Sequence, residues 1–311
     1  MKENFVTIFD KNYIPQGLAL YESLENNLSN FKLWVICVDK ITASFLEKIK
    51  KKNIGIISPE KFETEELKKI KSKRSKAEYC WTLTPQAPKI VFDRDREISR
   101  VTYLDADMFF FKSPSIIFEE FENSKKSVLI TEHDFDVNNK YKEKLFGKYI
   151  VQFIIFKRND SDKVSNWWAQ KCLENCSEIT TNNLIGDQGY LNDWEIRFDN
   201  EVHVLKNNNS FRSTWNIGKL NINELVAWHF HGLRVINNNL VQIHGEKKLD
   251  QKVFIHLYKP YLKILEKYIK ILDHKINYNR FDKSFLNNSL RKFYLYLIKK
   301  KILKNLRYHV F

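Results

Sequence analysis

Apolar positions fall into short, dense runs separated by stretches of helical spacing. "NFVTIFD" (residues 4–10), "FKLWVICVD" (31–39) and "IGIIS" (54–58) read as buried strands, since a strand covered on both faces needs no polar alternation. Between them, "NYIPQGLALYESLENN" (12–27) predicts a helix with Pro15 in its first turn and an apolar stripe of Leu18, Leu20, Tyr21 and Leu24; "TASFLEKIKKKN" (42–53) predicts another. A charged helical connection over 60–78, and a helix start disrupted by Pro85 and Pro88, lead to a strand at 99–104. Further strands are predicted at 127–134 and 149–159. After them come a helix over 161–176 with Trp167 and Trp168 buried on one side, a loop and short helix over 186–194, and short strands at 203–208, 225–232 and 237–245. This alternation points to a parallel, doubly wound sheet. From Lys252 the pattern changes to two long amphipathic helices, 254–275 and 290–311.

One stretch breaks the apolar pattern. In "VTYLDADMFFFKSP" (101–114), Asp105 and Asp107 stand inside an otherwise apolar run. In an extended segment both side chains face the same way, roughly 6–7 Å apart. Two like charges at that distance repel unless they end at a loop, share a cation, or both. One reading is a solvated acidic turn. The other is a divalent cation held by hard oxygen ligands, with phosphate oxygens completing its shell. The acids sit at the carboxyl end of a strand, where ligands of doubly wound sheets bind.

Composition narrows the class. A hydrophobic content of 43% in 311 residues supports a core rather than disorder. No apolar run approaches the roughly 20 residues of a membrane-spanning helix, and the apolar stretch near the N-terminus is too short for a signal peptide, which predicts a cytoplasmic protein. The cysteines Cys37, Cys80, Cys172 and Cys176 read as buried thiols rather than a zinc site. Charge is uneven: of a net +14, residues 251–311 hold 15 Lys+Arg against 3 Asp+Glu, or +12, leaving +2 for the body. Basic side chains interleaved with Phe293, Tyr294, Tyr296 and Ile302 fit an anionic membrane surface, with a solvated helix face as the alternative. No nucleic-acid-binding pattern accompanies them, and no nucleic acid is expected as a partner.

"YLDADMFFFKSP" resembles the strand–DxD–strand signature of the GT-A glycosyltransferases, particularly family 8, the family of glycogenin and bacterial lipopolysaccharide galactosyltransferases. Three companions stand in family order: "FDKNY" (9–13), "GDQGYLN" (186–192) and "WHFHG" (228–232). The resemblance implies an α/β GT-A fold, a Rossmann-like doubly wound mixed sheet, over 1–250. Its nucleotide-sugar half would be 1–115 and its acceptor-side half 116–250, with a basic helical tail over 251–311. It implies that Asp105, Asp107 and His229 hold Mn²⁺ or Mg²⁺, and that Phe9, Asp10, Asn12, Tyr13, Lys89, Ala106 and Arg234 join the two acids in binding a UDP-sugar. Asp187 would orient the sugar, and Gln188 would lie near its anomeric face. The chain departs from the family where K-P-W often follows H-F-x-G, offering Arg234 instead, and Gly189 stands where some relatives carry an acid.

The expectation is a metal-dependent, retaining glycosyltransferase acting on a lipid-anchored glycan acceptor, such as lipopolysaccharide or a lipid-linked oligosaccharide. The enzyme would be cytoplasmic and peripheral on the inner face of the cell membrane. A metal-dependent nucleotidyltransferase and a non-catalytic membrane-surface protein are the alternatives. His231 is a weaker candidate ligand. His133, His203 and His244 have no comparable context, Trp167, Trp168 and Trp194 read as core, and Trp215 is expected near a site because its loop overlies the strand ends.

Overall fold

The first 57 residues run strand–helix–strand–helix–strand, as their patterning predicts: β1 (Glu3–Phe9), α1 (Ile14–Asn27), β2 (Phe31–Cys37), α2 (Lys40–Ile49) and β3 (Ile54–Ile57). The computed structural model describes residues 2–179, 185–238, 240–243, 249–272 and 308–310. Asp10 and Asp39 stand just past the first two strands and cap the helical turns after them: Asp10 accepts from Asn12 N, and Asp39 from Thr42 N. Next come α3 (Glu65–Lys73), α4 (Lys76–Leu83) and α5 (Ala87–Arg94). The two prolines break the α-helical run between α4 and α5, though the backbone stays helical through the break. Pro85 lies in the first turn of a 3-10 segment, Thr84–Gln86, and Pro88 in the first turn of α5, where a missing N–H removes no helical bond.

β4 (Arg100–Leu104), β5 (Met108–Phe110), α6 (Ser115–Ser124) and β6 (Val128–Glu132) follow, then α7 (Glu143–Phe146), β7 (Tyr149–Lys157), α8 (Asp162–Glu174), α9 (Trp194–Arg197) and β8 (Val202–Val204). The main sheet has seven strands in the order β3-β2-β1-β4-β7-β6-β8. It is mixed rather than purely parallel. The strands from β3 to β4 are parallel, but β7 runs antiparallel to both β4 and β6. The reason lies in the connection: the chain from β6 to β7 carries no crossover helix of full length, so it returns beside β6 in the opposite direction. Helices cover both faces. One core gathers α1, α2 and α6 around Phe5, Leu33 and Phe153; the other gathers α4, α5 and α8 around Val6, Ile36 and Ile154.

Two small sheets accompany it among the described residues. β9 (Phe211–Arg212) and β10 (Ala227–His229) join β5 in the order β5-β10-β9; β11 (Arg234–Asn237), β12 (Leu240–Gln242) and β13 (Tyr308–Val310) form the other. The first amphipathic stretch after Lys252 is helical: α10 (Gln251–Val253), a π-helical turn Phe254–Tyr258, and α11 (Lys259–Leu272). Its apolar stripe, including Tyr258, Tyr261, Leu262, Leu265, Tyr268 and Ile269, is buried in the same core as α1. At about 1.5–3 kcal/mol per buried side chain, that face holds the helix to the body and is not presented to a membrane. The second stretch, 290–311, lies outside the described residues apart from β13.

Candidate metal centre

The strand order reverses between β1 and β4, because β2 and β3 lie to one side and β7, β6 and β8 to the other. The carboxyl ends of strands at such a reversal border a crevice. β4 stops at Leu104, and Asp105 N still donates to Gln152 O of β7 (3.1 Å). The chain then turns, with Met108 N donating to Asp105 O (3.1 Å). The two acids are therefore not carried on an extended segment. The turn draws them together and sends β5 into the second sheet. There β10 pairs antiparallel with β5 so that His229 lies opposite Met108, and Phe230 N donates to Asp107 O (2.9 Å). This register delivers the histidine to the acids. Ligand atoms of Asp105, Asp107 and His229 all lie within 4.8 Å of one another, with His229 Nε2 3.0 Å from Asp107 Oδ1 and 3.7 Å from Asp105 Oδ2.

Gln152 decides what His229 can do. Its Oε1 lies 3.1 Å from His229 Nδ1, and its side chain is itself within the protein interior. An amide oxygen can only accept, so Nδ1 carries a hydrogen and Nε2 is the nitrogen directed at the acids. Burial opposes the charge on Asp107, but His229 overrides it and holds that carboxyl well below the usual carboxylate range. Burial pushes Asp105 up, against the pull of His229, and Tyr103 donates to its Oδ1 (3.0 Å). His229 itself is raised: burial acts against its positive charge, and Asp107 and Asp105 more than offset that. Without a cation, the negative charge of Asp107 therefore favours the protonated form of His229, while burial favours the neutral form of Asp105. Two carboxylates and one imidazole nitrogen with neither proton would suit a divalent cation of the Mn²⁺ or Mg²⁺ type.

Asp187 belongs to the same neighbourhood. Only 5% exposed, its carboxyl is pushed up to about 7, first by burial and then by the negative charge of Asp105. Gly186 just before it has φ +55°, and a Cβ there would lie 3.0 Å from the Trp81 ring, so the turn admits glycine on both counts. Trp168 Nε1 donates to Asp187 O (2.9 Å), which ties the turn to α8. Gln188 Nε2 donates to Phe146 O (3.3 Å).

The other residues picked from sequence divide into two groups. The Arg234 guanidinium lies 5.9 Å from the Tyr13 ring, and its charge bears on Asp107 and His229. Ala106 is buried between the acids. Asp10 turns its carboxylate to Asn12, accepting from its N (2.9 Å) and its Nδ2 (2.7 Å). Phe9 is core, its ring filling the space beside Gly17. Lys89 is exposed on α5 and pairs with Asp93 (3.3 Å). His203 pairs with Glu120 (2.7 Å). Trp168 and Trp194 are core, in edge contact at 5.3 Å; Trp167 is only partly buried and packs on Phe198 and Tyr190 instead.

Two residues, Gln152 and His133, gain a role that their sequence context did not give them, and Trp215 lies where its loop suggested. Gln152 is a lone amide inside the apolar run "YIVQFIIF", which is its only signal. Trp215, expected near a site, lies edge-on to His229 at 5.4 Å and to His231 at 5.6 Å. His133 accepts the Trp215 indole N–H at its carbonyl (2.8 Å) and stacks on Phe135, with burial driving its ring pKa down to about 3. It therefore backs Trp215 as a neutral ring.

No family model matches the chain. Among solved structures, the bifunctional glycosyltransferase WbbM has a TM-score of 0.53 at 12% identity, over 88% of this chain and 52% of that one. The apo-form glycosyltransferase GlyE of Streptococcus pneumoniae TIGR4 has 0.51 at 13%, over 88% and 64%. The galactosyltransferase LgtC, in complex with donor and acceptor sugar analogs, has 0.50 at 13%, over 85% and 95%. These likenesses show the fold, which is GT-A. Two Bacillus subtilis (strain 168) proteins, both uncharacterized, are similar in sequence: YfnD is 27% identical over 281 residues, covering 86% of this chain and 89% of its own, and YfnF is 30% identical over 296 residues, covering 89% of this chain and 97% of its own. At that identity and coverage, the chain belongs to the family of YfnF.

Proposed function

We propose that the chain is a metal-dependent glycosyltransferase that moves a sugar from a UDP-sugar to a glycan acceptor with retention of anomeric configuration. The observation that carries this reading is the Asp105–Asp107–His229 cluster at the reversal point of a GT-A sheet. In this reading the three residues hold Mn²⁺ or Mg²⁺, which when bound supplies Lewis-acid neutralisation of a departing diphosphate. Gln152 keeps His229 in the tautomer whose Nε2 is free to ligate. Arg234 and Tyr13 flank the nucleotide end. Asp187 orients the sugar hydroxyls and Gln188 lies on the anomeric side. The acceptor is a lipid-anchored glycan, lipopolysaccharide or a lipid-linked oligosaccharide, and the enzyme works peripherally at the inner face of the cell membrane, with the basic residues of 290–311 contributing. No helix among the described residues is long and apolar enough to cross a membrane, which is compatible with a peripheral enzyme.

The test is UDP release and sugar transfer over a panel of UDP-sugars, with Mn²⁺ or with EDTA, for the parent and for Asp107→Ala. The expected result is metal-dependent turnover of one donor, reduced on the order of 10²–10³-fold in the variant. Equal turnover by the two proteins, or none with any donor, would sink the reading.

A further inference from the structure

Of the eleven exposed large hydrophobic side chains among the described residues, four fall within ten residues: Val137, Tyr141, Leu145 and Phe146. Val137 is 89% exposed and Tyr141 64%. The segment is a run of turns, a 3-10 turn Lys140–Lys142 and the four-residue α7, and it carries all four of these side chains. Between and beside them stand Lys140, Lys142, Lys144 and Lys148, against the single acid Glu143. Lys140 pairs with Glu143 and Lys148 with Glu132 and Glu195. Among the described residues Lys142 and Lys144 form no ion pair.

This is not a loose loop whose apolar residues face water for want of a contact. Its inner side is anchored. Asp136 accepts from Asn139 N and Nδ2 and from Gly218 N, and Asn139 Nδ2 also donates to Trp215 O (3.0 Å). Phe135 packs with Ile150 and Trp215. At its far end Lys148 N donates to Asn192 Oδ1 (3.0 Å). The anchored side thus rests on Trp215, which abuts His229, and on the turn that carries Gln188. Lys142 is near enough for its charge to bear on His231. An apolar, basic ridge therefore stands at the rim of the metal centre.

We infer that residues 137–146 form a contact for an anionic lipid surface, separate from the C-terminal basic stretch, which seats the mouth of the site against the membrane. The chemistry favours lipid over a sugar: aliphatic Val137 and Leu145 offer hydrocarbon for the acyl boundary but no hydrogen bonds to hydroxyls, and lysines outside any ion pair suit phosphate headgroups. With a lipid-anchored acceptor, as the proposed function has it, such a seat would bring the acceptor's glycan to the metal centre without lifting its anchor. The lipid contact rests on that reading only for its purpose, and its test is independent of turnover.

The full chain carrying Leu145→Cys, labelled there with an environment-sensitive fluorophore, is mixed with phosphatidylcholine vesicles with and without phosphatidylglycerol. Cys37, Cys172 and Cys176 are buried and burial pushes the Cys80 thiol up to about 12, so native thiols stay unlabelled at neutral pH. A label at Asn26→Cys, near the C-terminal end of α1, is the control. The expected result is a blue shift at position 145 with the anionic vesicles only, and none at position 26. A variant with Val137→Ser, Leu145→Ser and Phe146→Ser is expected to bind those vesicles about tenfold more weakly or worse. No shift at position 145, whether or not the protein sediments with vesicles through another part, overturns the inference, as does a shift produced by soluble oligosaccharide and not by lipid. If the shift is seen but no donor is turned over, the lipid contact stands and the transferase reading falls.

Discussion

Two strand ends carry acids that look alike in sequence and sit in opposite surroundings. After β2, Asp39 accepts from Thr42 N (2.8 Å) and Thr42 Oγ1 (3.0 Å) at one oxygen and from Lys11 N (2.9 Å) at the other. After β4, Asp105 and Asp107 accept no backbone N–H at their carboxylates among the described residues. Their partners are a phenol and an imidazole that a cation would displace or share. Asp39 closes a helix end and ties two strand ends together, so its hydrogen bonds stabilise the fold. The acids of the candidate metal centre are buried without such donors: burial works against the charge of Asp105, and the imidazole of His229 is what keeps Asp107 ionised. What distinguishes a structural acid from a ligand is where its hydrogen bonds go.

This contrast predicts stability changes of opposite sign. The largest concerns Asp187. Its folded pKa, about 7, lies above the ordinary 3.8, so it binds a proton more tightly when folded. Its contribution to stability is full below about pH 4 and is lost as pH rises through about 7. Asp187→Asn should remove that dependence, making the metal-free protein more stable than the parent by on the order of 2–4 kcal/mol at pH 8 and no more stable at pH 4. Urea titrations at the two pH values would read this directly, and a variant less stable at pH 8 would refute it. Next is Gln152→Ala, which leaves His229 without the partner that selects its tautomer. Mn²⁺ affinity by calorimetry should fall about 10–100-fold, with Gln152→Glu recovering part of it because the acceptor returns. Unchanged affinity in Gln152→Ala would mean that His229 is no ligand. The smallest effect is at Asp39: its replacement by alanine should lower unfolding stability by about 1–3 kcal/mol at pH 7 while Mn²⁺ affinity stays as in the parent.

Much of this was legible in the chain. Each of the strands β1 to β4 is a short apolar run closed by a polar residue, and local patterning was enough to find it. Asp105 and Asp107 could be picked out because acids inside an apolar run are conspicuous, whereas Asp187 and His229 were picked only because their order along the chain resembled a known arrangement. Phe9 and Lys89 could not be assigned that way. Adjacent residues of one motif face different ways, and only packing shows that Phe9 faces Gly17 and Lys89 faces solvent. The apolar stripe of α11 was visible too, but amphipathicity alone does not say whether the partner is a membrane or another helix, and the partner is α1.

The sequence by itself determined the strands β1 to β4 with the helices α1, α2 and α8, that the body is near neutral beside a basic C-terminal stretch, and that acids stand at a strand end. Those are matters of local spacing and composition. Tertiary structure alone decided that β7 reverses the sheet, that the β5–β10 register sets His229 against Asp107, that Gln152 Oε1 faces the imidazole, and that Phe135 and Asn139 pack on Trp215 beside His229. Each of these joins residues far apart in the chain. Such contacts depend on how elements pack and pair, which no local pattern encodes.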